Sequence, residues 1–147
     1  MNKKRVIIVG GVAGGASAAA RARRLCEDCE IIMFERGPHV SFANCGLPYF
    51  VGGEIAEQDS LLVQTPARLK ARFKLEVRIN TEVIRIDRAN QRIQVRESET
   101  GRENEAVYDA VILFTGASSL RPPIRPLVRR TVRNNPIPTR SSHGKTH

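Results

Sequence analysis

The hydrophobic pattern opens with a β-turn-α-β unit. Arg5 to Val9 (RVIIV) is a β-branched apolar run without polar alternation, which predicts a strand buried on both faces. A glycine-rich turn follows, and Ala16 to Leu25, rich in Ala and Arg, predicts a helix. Glu30 to Glu35 (EIIMFE) predicts a second buried strand. Residues 36–53 carry Pro38, Pro48, Gly37, Gly46, Gly52 and Gly53, which predicts a loop with at most a short helix. Residues 66–74 open on Pro66 and place Leu69 and Phe73 four apart on one helical face. Segments 76–80, 83–87 and 91–97 alternate and read as strands, with turns at Asn80-Thr81 and Arg88-Ala89-Asn90. Tyr108 to Phe114 (YDAVILF) is a further apolar strand ending at Thr115-Gly116-Ala117. After Ile124 periodicity ends; Pro126, Pro136 and Pro138 lie among scattered Arg, Asn and Ser, which predicts a disordered tail over 125–147.

Composition changes this picture little. A length of 147 residues suits one domain, and the 41% hydrophobic fraction is globular. No stretch reaches the roughly 18 apolar residues of a membrane span. The net charge of +9 would suggest nucleic acid, but it is concentrated at one end. Residues 121–147 hold seven Lys or Arg and no acid, which leaves the globular part nearly balanced. That basic tail has no aromatic residue for base stacking, so no nucleic-acid partner is expected.

Candidate chemistry lies at the first turn. Gly10-Gly11-Val12-Ala13-Gly14-Gly15 follows a strand and opens a helix. There the first glycine permits a tight turn, small residues admit a pyrophosphate, and the last glycine lets helix and strand pack closely. Val12 stands where the strict pattern has a second glycine. Glu35, twenty residues after Gly15, ends the second strand where an acid accepts from a ribose hydroxyl. The motif alone does not separate FAD from NAD.

Three cysteines, an odd number, argue against a disulfide framework and for a reducing compartment. Cys26 and Cys29 lack two further ligands for zinc, no metal site is expected, and they read as ordinary thiols at a helix end. Basic Met1 to Arg5 and Ala16-Ser17-Ala18 resemble a signal peptide, but glycines break the apolar run, and a cytoplasmic protein is expected. Cys45 lies in SFANCGLPY. Asn44 could cap a short helix starting at Cys45, and a helix N-terminus stabilises a thiolate. With no second cysteine nearby, such a thiol would act alone, through a mixed disulfide or sulfenic acid. A buried, inert cysteine is the alternative that local sequence leaves open.

These segments together resemble the single-cysteine branch of the flavoprotein pyridine nucleotide-disulfide oxidoreductases, of the coenzyme A disulfide reductase type. The resemblance is carried by IIVGGVAGGASAAARARRL and FERGPHVSFANCGLPYFVGG, and continues through LLVQTPARL, LEVRINTEVIRID and YDAVILFTGASSLRPPI. It covers about residues 4–124. Water-forming NADH oxidases share a similar cysteine segment but usually lack the N-C-G-L-P-Y form.

The resemblance implies an α/β fold, a Rossmann-like FAD-binding domain whose parallel sheet is interrupted by a β-meander crossover. On this reading 1–124 is the N-terminal part of that domain and 125–147 is an unrelated tail. FAD would be held by Gly10, Ala13, Gly14, Glu35 and Arg36 at the ADP half. Val83 would lie near the adenine, and Thr115 and Gly116 would close over the cofactor. Cys45 would be the redox nucleophile. Ser17, Arg24, Ser41 and Asn44 match positions that contact coenzyme A in the family. The substrate would be coenzyme A disulfide or a persulfide.

The family also uses NAD(P)H on a second domain and a homodimerisation domain. Both lie outside the match, so a truncated chain without full turnover is expected. The alternatives are a non-catalytic nucleotide-binding remnant or an NADH oxidase relative.

Overall fold

The structure is a computed structural model that describes residues 3–117; the expected domain end at 124 and the tail at 125–147 lie outside the described residues. Two sheets form. β1 (Arg5–Val9), β2 (Glu30–Phe34), β3 (Glu76–Arg78) and β7 (Ala110–Leu113) make a parallel sheet in the order β3-β2-β1-β7. β4 (Thr81–Asp87), β5 (Arg92–Glu97) and β6 (Glu103–Val107) make an antiparallel meander in the connection between β3 and β7. Helices α1 (Ala13–Leu25), α2 (Leu47–Val51) and α3 (Pro66–Phe73), with 3-10 turns at Asn44–Gly46 and Gln58–Leu61, complete the described elements.

The lack of alternation in RVIIV and EIIMF has its reason in the two cores. Ile8, Ile31 and Met33 bury in one cluster with Ala19 of α1, Leu69 of α3 and Leu75. Ile7, Ile32 and Phe34 bury on the opposite face with Ile93 and Val95 of the meander and Tyr108. The register pairs Ile7 with Ile32 and Ile8 with Met33, so each pair shares a face. A one-residue slip would exchange the faces of the whole strand.

The expected strands appear with shifted ends. Thr81 begins β4 instead of closing a turn, and only Asn80 takes the left-handed conformation there, at φ 50°. β6 (ENEAV) was not among the predicted strands. Its paired residues are mostly polar, because its outer positions face solvent and only Ala106 packs on the core. The β4–β5 turn is held by Asp87, which accepts from the Asn90 side chain and from the backbone N–H of Asn90 and Ala89. These bonds, with Arg85 nearby, hold its carboxyl below the usual range.

The helix α1 ends on a clamp. Arg23 donates from Nε to the Phe73 carbonyl at 2.8 Å and from Nη1 to those of Cys26 at 3.3 Å, Glu27 at 2.6 Å and Cys29 at 2.7 Å. Its Nη2 reaches the Lys74 carbonyl at 3.1 Å. One cation thus satisfies carbonyls at the ends of both α1 and α3. Cys26 and Cys29 are not free thiols as expected: the two sulfurs are bonded. The chain leaves α1 at Cys26 in an extended conformation (φ −144°, ψ 99°), and the tight bend that follows brings the two Cα atoms to 5.5 Å, within disulfide range.

Arg23→Ala should therefore lower the unfolding free energy by about 1.5–3 kcal/mol, the scale for bonds to a charged donor. Urea denaturation measures this. A loss below about 0.5 kcal/mol would mean that water replaces the guanidinium without cost.

Candidate functional site

The glycine turn is built so tightly that side chains are excluded. Gly10 has φ +94°, and a Cβ there would strike the Phe114 carbonyl. A Cβ on Gly15 would overlap the Gly10 carbonyl, and one on Gly14 would meet the Phe114 ring. A Cβ on Gly11 would lie 2.8 Å from Val40 Cγ1 and 2.9 Å from Met33 Sδ. Val12, where a glycine was wanting, is the residue before α1 and leaves the helix start without a side-chain cap. Among the described residues the first-turn N–H groups of α1 thus have no side-chain acceptor, which suits an anion.

Glu35 is buried at the end of β2, where the sequence placed it. Its Oε2 accepts from Gly11 N at 2.7 Å and its Oε1 from Gly37 N at 2.9 Å. The carboxylate therefore braces the turn as well as facing it. Each oxygen retains lone-pair capacity for a further donor such as a ribose hydroxyl.

The cysteine segment is tied directly to this turn. Ser41, in the left-handed region at φ 48°, donates its N–H to the Gly11 carbonyl at 3.0 Å. Its own carbonyl accepts from Val63 and Gln64, and Ala43 N–H donates to Leu61. Four residues along, Cys45 is exposed and is a free thiol. The expected cap is corrected. Asn44 does not precede a helix but starts a 3-10 turn, Asn44–Gly46, and α2 begins only at Leu47. Neither element has a side-chain cap, because the cap positions fall on Ala43 and Gly46, which carry no side-chain acceptor. The alternative of a buried Cys45 is set aside by its exposure.

Of the other candidates, Ser17 and Arg24 are exposed on α1, seven residues apart and so on one helical face. Arg24 Nε donates to Ala20 O at 3.3 Å, and Ala13 and Arg36 are exposed. Val83 packs against the meander-side core, just before a register irregularity in β4. Thr81 N–H donates to the Glu35 carbonyl, which anchors the start of that strand to the site. Thr115 and Gly116 (φ +70°) follow Phe114, whose N–H donates to Val9 O at 2.7 Å. The sequence reading missed Phe114 itself, whose carbonyl and ring close on Gly10 and Gly14; as the last apolar residue of YDAVILF it reads as core. Among the described residues no cluster of His, Cys, Asp or Glu could hold a metal ion, and no helix is long and apolar enough to cross a membrane.

The model of the family described as pyridine nucleotide-disulphide oxidoreductase matches residues 4–137. A coenzyme A disulfide reductase of Staphylococcus epidermidis is 41% identical over 134 residues, which is 91% of this chain and 30% of that protein. One from Staphylococcus haemolyticus is 42% identical over 116 residues, 79% of this chain and 26% of that protein. The chain thus spans about 30% of the length of the curated relatives it matches. Among solved structures, reduced Bacillus anthracis CoADR-RHD superposes with a TM-score of 0.81 at 48% identity, over 84% of this chain and 22% of that one. An NAD-dependent persulfide reductase from A. fulgidus superposes with a TM-score of 0.76 at 37% identity, over 82% and 22%.

The glycine geometry yields a test in which two effects oppose each other. Helix propensity alone would make Gly15→Ala stabilising by about 1 kcal/mol. The overlap with the Gly10 carbonyl should reverse the sign and cost at least about 2 kcal/mol, since backbone must move. Gly116→Ala meets nothing within 4 Å among the described residues, and carries its positive-φ cost of about 1 kcal/mol. Denaturant midpoints of the two variants order these effects, and a stabilised Gly15→Ala protein would refute the close packing.

Proposed function

Because the chain belongs to the pyridine nucleotide-disulphide oxidoreductase family, we propose that its glycine turn binds FAD and that Cys45 exchanges with a disulfide or persulfide substrate. The observation that carries this reading is the Ser41–Gly11 hydrogen bond, which fastens the segment bearing the free thiol to the turn suited to a pyrophosphate.

The site fits the cofactor on physical grounds. Gly10, Gly11 and Gly14 leave the backbone bare, and the start of α1 at Ala13 offers unpaired N–H groups to the diphosphate. Glu35 would accept from the ribose, with Arg36 beside it. Val83 would line the adenine end, and Thr115 and Gly116 would cover the far side. When bound, the flavin would carry electrons between NAD(P)H and the thiol.

The work of the chain's own residues is thiol exchange. The Cys45 thiolate attacks one sulfur of the substrate disulfide; that S–S bond breaks, the departing thiolate takes a proton from solvent, and a mixed disulfide remains. Coenzyme A disulfide is the proposed substrate, with a persulfide as the related one. Arg24 and Ser17, on one exposed face of α1, would receive its phosphates, and Ser41 and Asn44 would flank the sulfur. The exposure of Cys45 leaves room for a bulky disulfide.

Two measurements test this. Purified protein should quench the fluorescence of added FAD, and excess NAD should not displace it. Binding of NAD with no FAD signal would overturn the cofactor reading. Incubation with coenzyme A disulfide should add one coenzyme A to the tryptic peptide containing Cys45, and Cys45→Ser should abolish the adduct. FAD binding without an adduct would favour a non-catalytic nucleotide-binding protein.

A further inference from the structure

Cys26 and Cys29 take no part in the proposed exchange, yet they are paired and lie at a mechanically important place. Cys26 ends α1, and Cys29 is buried in the core cluster that also contains Leu69 and Leu75 and packs against Phe73. The carbonyls of Cys26, Glu27 and Cys29 all accept from Arg23, which simultaneously holds Phe73 O and Lys74 O at the α3–β3 turn. The four-residue ring therefore shapes the carbonyl cradle that locks the end of α1 to the end of α3.

We infer that Cys26 and Cys29 form a second dithiol–disulfide couple, separate from Cys45, that low-molecular-weight disulfides oxidise and that sets how firmly Arg23 locks α1 to the α3–β3 turn. Cys26 is half-buried whereas Cys29 is only 7% exposed, so Cys26 is the sulfur that meets an incoming disulfide. Its thiolate attacks one sulfur of the small disulfide, and the first small thiolate leaves and is protonated. Cys29 then gives its proton to solvent, attacks the Cys26 sulfur and expels the second small thiolate. The two protein thiols lose two electrons and two protons, and one small disulfide becomes two small thiols.

Access sets the pace of the couple. Cys29 is buried, so an outside thiol reaches only the Cys26 sulfur, and reopening has a single point of attack. The pair acts as a redox-set lock, not as a rapid shuttle. Cys45, by contrast, is exposed and unpaired.

The experiment uses the Cys45→Ser chain, so that every redox-dependent signal belongs to this pair, and no flavin enters it, so failure of flavin binding does not affect the result. The protein is equilibrated in glutathione buffers from fully reduced to fully oxidised, quenched in acid, alkylated and digested. The tryptic peptide from Leu25 to Arg36 should convert in one transition to a species two hydrogens lighter and unlabelled. The melting temperature should fall by roughly 5–10 °C on reduction, the scale expected for opening a short ring in a domain of this size. Amide exchange at residues 73–75, which contain no cysteine, should accelerate with it. The Cys26→Ser/Cys29→Ser variant should melt with the reduced chain at every buffer ratio; if it does not fold, the two states of the parent chain supply the comparison. A peptide that stays dithiol, or gains only glutathione, in the oxidised buffer would overturn the couple. Equal melting temperature and equal exchange in the two states would overturn the lock.

Discussion

The close approach of three stretches of backbone at the glycine turn is the constraint on which the rest depends. The Gly10 carbonyl lies where a Cβ of Gly15 would be, and the Phe114 carbonyl where a Cβ of Gly10 would be. The end of β1 thus meets the start of α1 and the end of β7 backbone to backbone, and the Phe114 ring closes on Gly14. The anchors around them are backbone groups or reach backbone groups. Gly10 N donates to Phe34 O, Phe114 N to Val9 O, Ser41 N to Gly11 O, and Glu35 receives from Gly11 and Gly37. A surface shaped by main chain suits a phosphate, whose oxygens need N–H groups and room more than any particular side chain.

The sheet transmits that constraint because both its faces are covered. One face packs against α1 and α3 and the other against the meander, through alternate residues of the same two strands. Neither layer can slide without moving β1 and β2, and β1 and β2 end at the site. Thr81 links the first meander strand to the Glu35 carbonyl, so the meander is also held at the site and not only through its apolar contacts.

How much of this was legible follows from which forces leave a pattern. β1, β2 and α3 were readable because burial on two faces, or on one helical stripe, imposes continuous or periodic apolar residues, and β7 was readable from its apolar run although it lies at the sheet edge with Leu113 exposed. β6 was not, because Glu103, Asn104 and Glu105 pair by backbone bonds that leave no trace in side-chain polarity. In the site, Gly10 and Glu35 were readable from spacing, and Cys45 stood out by its neighbours. The capping role given to Asn44 failed because the difference between a 3-10 turn starting at residue 44 and a helix starting at 45 is one residue, below what turn chemistry specifies. The Cys26–Cys29 bond was missed because an odd cysteine count was weighed for the whole chain, while bonding depends on the local exit of the chain from α1. Arg23 had no distinguishing signal among Arg21, Arg23 and Arg24; only the carbonyls gathered by folding single it out.

These findings meet in α1. Its thirteen residues make a rod of about 20 Å at 1.5 Å per residue. Its first end is fixed by the overlap-free fit of Gly15 on Gly10, its middle by Ala19 in the core, and its last end by Arg23 and the cysteine ring. A rod held at both ends can neither rotate nor shift along its axis without breaking several backbone bonds at once. Ser17 and Arg24 sit two turns apart on its exposed face, so their spacing and direction are set by those same end anchorages. Arg24 directly follows Arg23 and lies within two residues of Cys26. Any change that frees the last turn therefore reaches the Arg24 side chain before it reaches the glycine turn, because fraying begins at a helix end and the first end keeps its own steric lock.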